Sequence, residues 1–270
     1  MSSSPRAQVV VASFNAHGGV DGWGRPFDVV KACRSFDADV IVLQESWRPE
    51  GRKSMTDLIS AELGYESYEM LTAKGRLSGQ HPHPDNKWKP TSRRLDGPRV
   101  VLPDNTRAAR KVITGTTSPT WPDDRRWPHG SGSERGSFNV AVLSRLPVLS
   151  TDSMTLRHLR YDNATRGALR VDVATEAGPV AFVGTHMSHL SRGSPIQFAE
   201  LRRWLTRIET PAVLAGDMNL WGPPLVAQMT GWRRAVKGRT WPCWGPHSQP
   251  DHILVRDPVM VVDGEVLPAA

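Results

Sequence analysis

The sequence predicts an α/β protein, and two observations carry that expectation. A strand–helix–strand pattern occurs twice, with 30 residues from Asn15 to Glu45 and 31 from His186 to Asp217. In each unit the apolar runs end on polar side chains, and in open α/β sheets ligands bind outside the carboxyl ends of strands. With 270 residues, the chain can form one large α/β domain or two small ones and bury a sizeable core.

Taken in order, residues 8–14 (QVVVASF) read as an apolar strand closing on Asn15. A Gly-rich turn, HGGVDGWG, follows, and Pro26 suits the first helical position of FDVVKACRSF. Val29, Val30, Ala32, Cys33 and Phe36 then share one helical face. DVIVLQE gives a strand over 39–44 that ends at Glu45. Residues 138–150 and 168–174 read as antiparallel strands with polar, turn-rich joints. VAFVGT (180–185) is a strand ending at His186, and 194–208 place Phe198, Leu201, Trp204, Leu205 and Ile208 at helical spacing.

The second unit closes with AVLAGDMN (212–219). Its apolar run reads as a buried strand, and alternation puts Asp217 and Asn219 on one side. Two oxygen-bearing side chains beside a glycine suit a metal and a phosphate. The same octet reads equally well as a strand followed by an Asx turn. If the two halves pack sheet against sheet, Asn15, Glu45, His186, Asp217 and Asn219 line one cleft.

Residues 74–135 differ from the rest. They are rich in Pro and carry thirteen Lys and Arg against six Asp and Glu, a local +7 that equals the net charge of the whole chain. A long insertion of this kind in an α/β domain covers or recognises substrate, or else is unstructured. Within it WPDDRRWPHG interleaves Trp121, Arg125, Arg126 and Trp127, residue types that stack on bases and pair with phosphates. A solvated loop is the plainer reading of that segment. The overall +7 favours an anionic partner. Cys33 and Cys243 form no spaced motif, which argues against a disulfide framework or zinc cluster. The N-terminal apolar run is too short for a signal h-region, and no segment reaches membrane-spanning length. The expectation is a soluble, cytoplasmic monomer.

Six motifs taken together resemble the endonuclease/exonuclease/phosphatase superfamily, with its deoxyribonuclease I-like fold. They are Asn15 closing the first strand, LQES (43–46), AVLSRLPV (141–148), GTHMS (184–188), AGDMN (215–219) and PDHILV (250–255). They fall in the family's order and cover nearly the whole chain except 70–135. The resemblance implies a four-layer α/β sandwich, two mixed β-sheets face to face with helices outside, formed by a single domain over 1–270. It also implies hydrolysis of a phosphate ester with Mg²⁺, or Mn²⁺, as cofactor. Glu45 would be the principal metal ligand, with Asn15 close by and Asp251 in support. Asp217 would orient or deprotonate the attacking water, Asn219 would hold it, and His186 would donate a hydrogen bond to the phosphate. Arg166 and His252 are candidates for contact with substrate, although an exposed Arg at a strand start is the plainer reading of Arg166.

One departure concerns the family's closing Ser-Asp-His-type motif, whose Asp–His pair does acid–base work. PDHILV matches an earlier family strand instead, and VMVVDGEVLPAA would supply only the short strand after it. Alternation turns Asp251 and His252 to opposite sides, so His252 cannot stand in for the terminal histidine. The expectation is therefore a truncated chain, a weakened hydrolase or a non-catalytic phosphate- or nucleic-acid-binding module. Among active readings, the basic insertion tilts the substrate toward DNA or RNA, ahead of a phospholipid headgroup or a small phosphomonoester. A dinucleotide-binding enzyme is disfavoured, because HGGVDG lacks G-x-G-x-x-G spacing.

Overall fold

Alternating apolar residues build both faces of two sheets, and that double use sets the architecture. The computed structural model describes residues 8–19, 27–77, 134–160, 162, 164–189, 194–242 and 245–267. Pro26, Cys243, the segment 121–130 and most of the basic insertion lie outside the described residues.

The first sheet contains β1 (Val11–Asn15), β2 (Val40–Pro49), β3 (Glu66–Leu77) and β4 (Glu134–Ser144), in the order β1-β2-β4-β3. The second contains β5 (Val148–Thr155), β6 (Gly167–Thr175), β7 (Gly178–His186), β8 (Ala212–Asp217), β9 (Arg233–Arg234) and β10 (Asp251–Val255), in the order β5-β6-β7-β8-β10-β9. Both sheets are mixed. The parallel pairs are β1–β2 and β7–β8, the two strand–helix–strand units read from the sequence.

Along β2, Val40 and Val42 face the second sheet, where they join Leu169, Val171, Phe182, Val213 and Ala215 in a shared core. The alternate residues Ile41 and Leu43 pack outward against helices α1 (Val29–Ser35) and α2 (Met55–Leu63). The second sheet repeats the arrangement. Ala181, Val183 and Leu214 pack outward under α3 (Ser194–Leu205) and α4 (Gly222–Gln228). The result is the expected sandwich of helix, sheet, sheet and helix layers. Gly184 permits close approach of the sheets, since a Cβ there would stand 2.9 Å from Val42 Cγ1 and 3.1 Å from Val142 Cγ2.

Several boundaries move from the sequence reading. Helix α1 starts at Val29, because the Asp28 carboxylate accepts the Lys31 N–H and caps it. Residues 138–150 divide between two sheets, with β4 ending at Ser144 and β5 starting at Val148. Helix α3 stops at Leu205, and Ile208 is buried just beyond it. The short strand expected in VMVVDGEVL is absent among the described residues. Among the described residues no strand pairs with 259–262, Val262 is 78% exposed, and the Asp263 side chain accepts the Gly264 N–H. No helix among the described residues is long and apolar enough to cross a membrane.

Candidate active site

Sheet register brings three of the expected residues into one row. His186 at the end of β7 pairs with Asp217 at the end of β8, and Asp217 pairs with Asp251 at the start of β10. Register partners on neighbouring strands point to the same face, so these side chains stand side by side. Gly216 makes the row possible. Its φ is +147°, and a Cβ would lie 1.9 Å from the Thr185 carbonyl oxygen.

The first sheet supplies Asn15 and Glu45. Asn15 closes β1 as expected, but Glu45 does not end a strand. Strand β2 runs on to Pro49, and its register against β4 shifts between Leu43 and Ser46. That shift is a bulge, and Glu45 sits on it with φ +52°. His17, Glu45 and Asn219 are three of the four non-glycine residues with left-handed backbone among the described residues. Such conformations cost free energy and cluster where a side chain must be aimed.

Asn15 joins the two sheets. Its Nδ2 donates to Glu45 Oε1 and to Asp217 Oδ2, each at 3.3 Å, while its Oδ1 accepts the His17 N–H at 3.0 Å. Asn15 thus meets the carboxylates with its donor end. Offering its oxygen to a cation would require turning the amide over and giving up the His17 bond. Asn219 lies past the end of β8 in a left-handed conformation, so the octet forms the strand followed by an Asx turn. Its N–H donates to Asp217 Oδ1 at 2.9 Å in an Asx turn, and its Nδ2 donates to the Met187 carbonyl at 2.9 Å.

Three largely buried carboxylates leave the cluster rich in negative charge. Burial pushes Asp217 up to about 6, and the neighbouring Asp251 charge adds to it. Burial likewise raises Asp251 to about 6, against the Thr240 hydroxyl, which donates to its Oδ2 at 2.6 Å. Burial alone would raise Glu45 too, but His17, His186, the Asn15 hydrogen bond and Arg166 outweigh it and hold that carboxyl below its ordinary range. Burial, then the Arg166 charge, lowers His186 and favours the neutral imidazole, whose Nε2 stands 3.7 Å from Asp217 Oδ2.

A divalent cation fits this donor set. Among the described residues no hydrogen-bond partner meets the buried Asp251 Oδ1, and oxygen-rich, negatively charged surroundings suit Mg²⁺ or Mn²⁺. Among the described residues no three His, Cys, Asp or Glu side chains converge as a ready-made metal cage. Magnesium seldom uses one, since it keeps waters and substrate oxygens beside one or two carboxylates.

The remaining expectations divide. Arg166 is not an exposed residue at a strand start. Its side chain is 13% exposed and is held by Asp162. His252 turns away from the row, as alternation requires. It is 2% exposed, its Nε2 meets the Leu220 carbonyl at 2.8 Å, and burial lowers it to about 4. Direct contact with substrate is incompatible with that placement. Sequence reasoning missed Asp162, Ser188 and Thr240, which lie in or beside loops where no periodicity marks them.

Several solved structures are similar. An endonuclease/exonuclease/phosphatase family protein from Leptotrichia buccalis C-1013-b is 13% identical, with 94% of this chain and 90% of that chain covered at a TM-score of 0.59. A β-hairpin deletion mutant of beta toxin from Staphylococcus aureus is 12% identical, with 98% and 94% covered at 0.58. Sphingomyelinase C from Streptomyces griseocarneus is 16% identical, with 94% and 85% covered at 0.50. At these identities the likeness is one of fold. No curated protein matches the sequence. The model of the endonuclease/exonuclease/phosphatase family matches residues 12–270, and the chain belongs to that family.

Proposed function

We propose that the chain is a divalent-metal-dependent phosphoesterase that hydrolyses its ester with an activated water and prefers a nucleic-acid phosphodiester. The observation that carries this reading is the Asn15 bridge, which gathers Glu45 from one sheet and Asp217 from the other beside His186 and Asp251. Glu45 and Asp251 would hold the cation. When bound, it supplies positive charge that offsets the charge building on the phosphoryl oxygens.

The chain's own residues do the rest. Asp217 accepts the proton of the attacking water. Asn219 gives its backbone N–H and one Nδ2 hydrogen to the protein, and its amide oxygen would orient that water. The neutral His186 donates an N–H to a phosphoryl oxygen as charge develops there. The core shared by both sheets supports a single domain.

The thirteen cations of 74–135 support a nucleic-acid substrate, because counterion release makes such binding strong at low salt. Similarity to a sphingomyelinase C supports a phospholipid headgroup as the second reading. Turnover of single-stranded DNA, sphingomyelin vesicles and p-nitrophenyl phosphate, each with Mg²⁺ across a salt series, separates these substrates. DNA cleavage that falls steeply with salt is the expected result. Salt-insensitive turnover of p-nitrophenyl phosphate alone would overturn the preference. DNA binding without hydrolysis, unchanged in Glu45→Ala, would identify a non-catalytic binding module.

A further inference from the structure

We propose that Asp162 is a positioning residue which, latched by Ser188, holds Arg166 with one edge of its guanidinium turned to the phosphoryl group of the substrate. This rests on the phosphoesterase reading of the Glu45–Asp217 cluster.

Asp162 is 3% exposed and lies in a loop, between β5 and β6, outside that cluster. A buried carboxylate is costly unless it is paired and hydrogen-bonded, and here the loop is built around it. Arg166 Nε donates to Oδ2 at 2.9 Å and Arg166 Nη2 to Oδ1 at 3.4 Å. The Ala164 N–H donates to Oδ1 at 3.1 Å, and the Ser188 hydroxyl donates to Oδ2. Burial would raise this carboxyl, but Arg166 and the other donors outweigh it and hold it below its ordinary range.

These bonds use one side of the Arg166 fork. Guanidinium carries five N–H donors in a plane, and Nη1 makes no hydrogen bond among the described residues. A mostly buried guanidinium with an unengaged edge is suited to a bidentate oxyanion. Its place in the chain puts it close to the cluster. Arg166 precedes Gly167, whose register partner is His186, and its charge acts on both His186 and Glu45.

Ser188 ties the same carboxylate to the loop that follows His186. The Ser188 N–H donates to Gln197 Oε1 at 3.2 Å, and Gln197 Nε2 donates to the Arg157 carbonyl at 2.9 Å. Gln197 is fully buried on α3. The two loops that flank the phosphate position therefore share one anchor. Asp162 also gives Arg166 a carboxylate other than Glu45 to pair with, which leaves Glu45 available to the cation.

The test compares wild type, Asp162→Asn, Arg166→Ala, the double variant and Asp172→Asn. Asp172 is a buried carboxylate further along β6 that also pairs with an Arg and a Ser. The readouts are kcat and KM on bis(p-nitrophenyl) phosphate with Mg²⁺, the inhibition constant of inorganic phosphate, and the melting temperature. Asp162→Asn and Arg166→Ala should each raise KM and the phosphate constant about tenfold or more, as loss of a charged hydrogen bond does. The double variant should be no worse than either single one, and Asp172→Asn should leave both constants unchanged. Additive effects, an unchanged KM in folded Asp162→Asn, or equal shifts in Asp172→Asn would overturn the proposal. If Asp162→Asn does not fold, Ser188→Ala takes its place, with the same KM-only signature expected at about threefold and its absence contradictory. If wild type turns over nothing, the phosphoesterase reading fails by itself. Calorimetric titration with phosphate then decides, since the clamp requires binding by wild type and weaker binding by Asp162→Asn.

Discussion

Two Asp–Arg–Ser trios hang from strand β6, built alike and placed differently. At its start, Asp162 takes hydrogen bonds from Arg166 and Ser188. Further along, Asp172 takes them from Arg170 Nε at 2.7 Å and Ser150 Oγ at 2.6 Å. Both aspartates are buried, at 3% and 7% exposure. What differs is the company each arginine keeps. The charge of Arg166 reaches Glu45 and His186, whereas that of Arg170 acts on Arg256, a side chain occupied with the Leu205 and Thr210 carbonyls. Asp172 also stands roughly 16 Å along the strand from Gly167, at about 3.3 Å per residue. The same three side chains brace a sheet at one end and, on our proposal, aim a cation at the other, so the surroundings of a group decide its role.

The comparison is sharpened most by the row beside the first trio. Asp217→Asn should lower Mg²⁺-dependent turnover by about 10²–10⁴-fold, the usual scale for losing an acid–base group. It should not lower the melting temperature, because it relieves charge against Asp251. Steady-state kinetics beside a thermal melt reads both, and a destabilised variant with full activity would contradict the assignment.

Smaller effects follow at the trios themselves. Asp162→Asn should act mainly on KM, about tenfold. Asp172→Asn should cost about 1–3 kcal/mol of stability, as an unpaired buried donor does, with kinetics unchanged. A urea titration measures the second, and a kinetic effect at Asp172 would erase the contrast between the two ends of β6.

A third carboxylate of this kind lies on the surface. Asp57 accepts the Ser54 N–H at 2.7 Å and Arg48 Nη1 at 3.3 Å, and together with Ser54 forms a capping box on α2. The hydrogen bond from the Ser54 backbone, against a smaller effect of burial, lowers its pKa. Asp162 is lowered as well. A carboxyl with a lowered folded pKa contributes stability in full above the unfolded value, near 3.9 for Asp, and loses it as pH falls through the folded value. Melts from pH 7 downward should therefore show both contributions intact to about pH 4 and fading below it. Asp57→Asn and Asp162→Asn should each flatten that acid limb, and a limb unchanged in both would refute the linkage. Ser54→Ala gives the smallest expected effect, about 1 kcal/mol for a lost N-cap.

Legibility in the sequence tracks locality. Both strand–helix–strand units, and Asn15, His186 and Asp217 at their strand ends, were legible because an apolar run that breaks on a polar residue is a local signal. That Asp251 and His252 face opposite sides follows from alternation, but alternation does not say which of them is inward, and His252, expected to touch substrate, is the one turned away. The expectation that Glu45 ends its strand fails. A bulge changes register against a strand some hundred residues away, and nothing in LQESWRP announces it. The run VMVV reads as a strand by composition, but pairing requires a neighbouring strand, and none pairs with it among the described residues. Asp162 escaped because its partner Ser188 is 26 residues distant and its loop has no period. Helix α1 began later than Pro26 implied because Asp28 caps it.

The most direct test of the central claim is nicking of supercoiled plasmid with Mg²⁺ by wild type and Asp217→Ala, with EDTA as control. The cluster joined by Asn15 predicts nicking by wild type that disappears both in the variant and on chelation. Nicking that survives in Asp217→Ala or in EDTA would place the chemistry elsewhere, and no nicking by folded wild type would contradict the nucleic-acid reading.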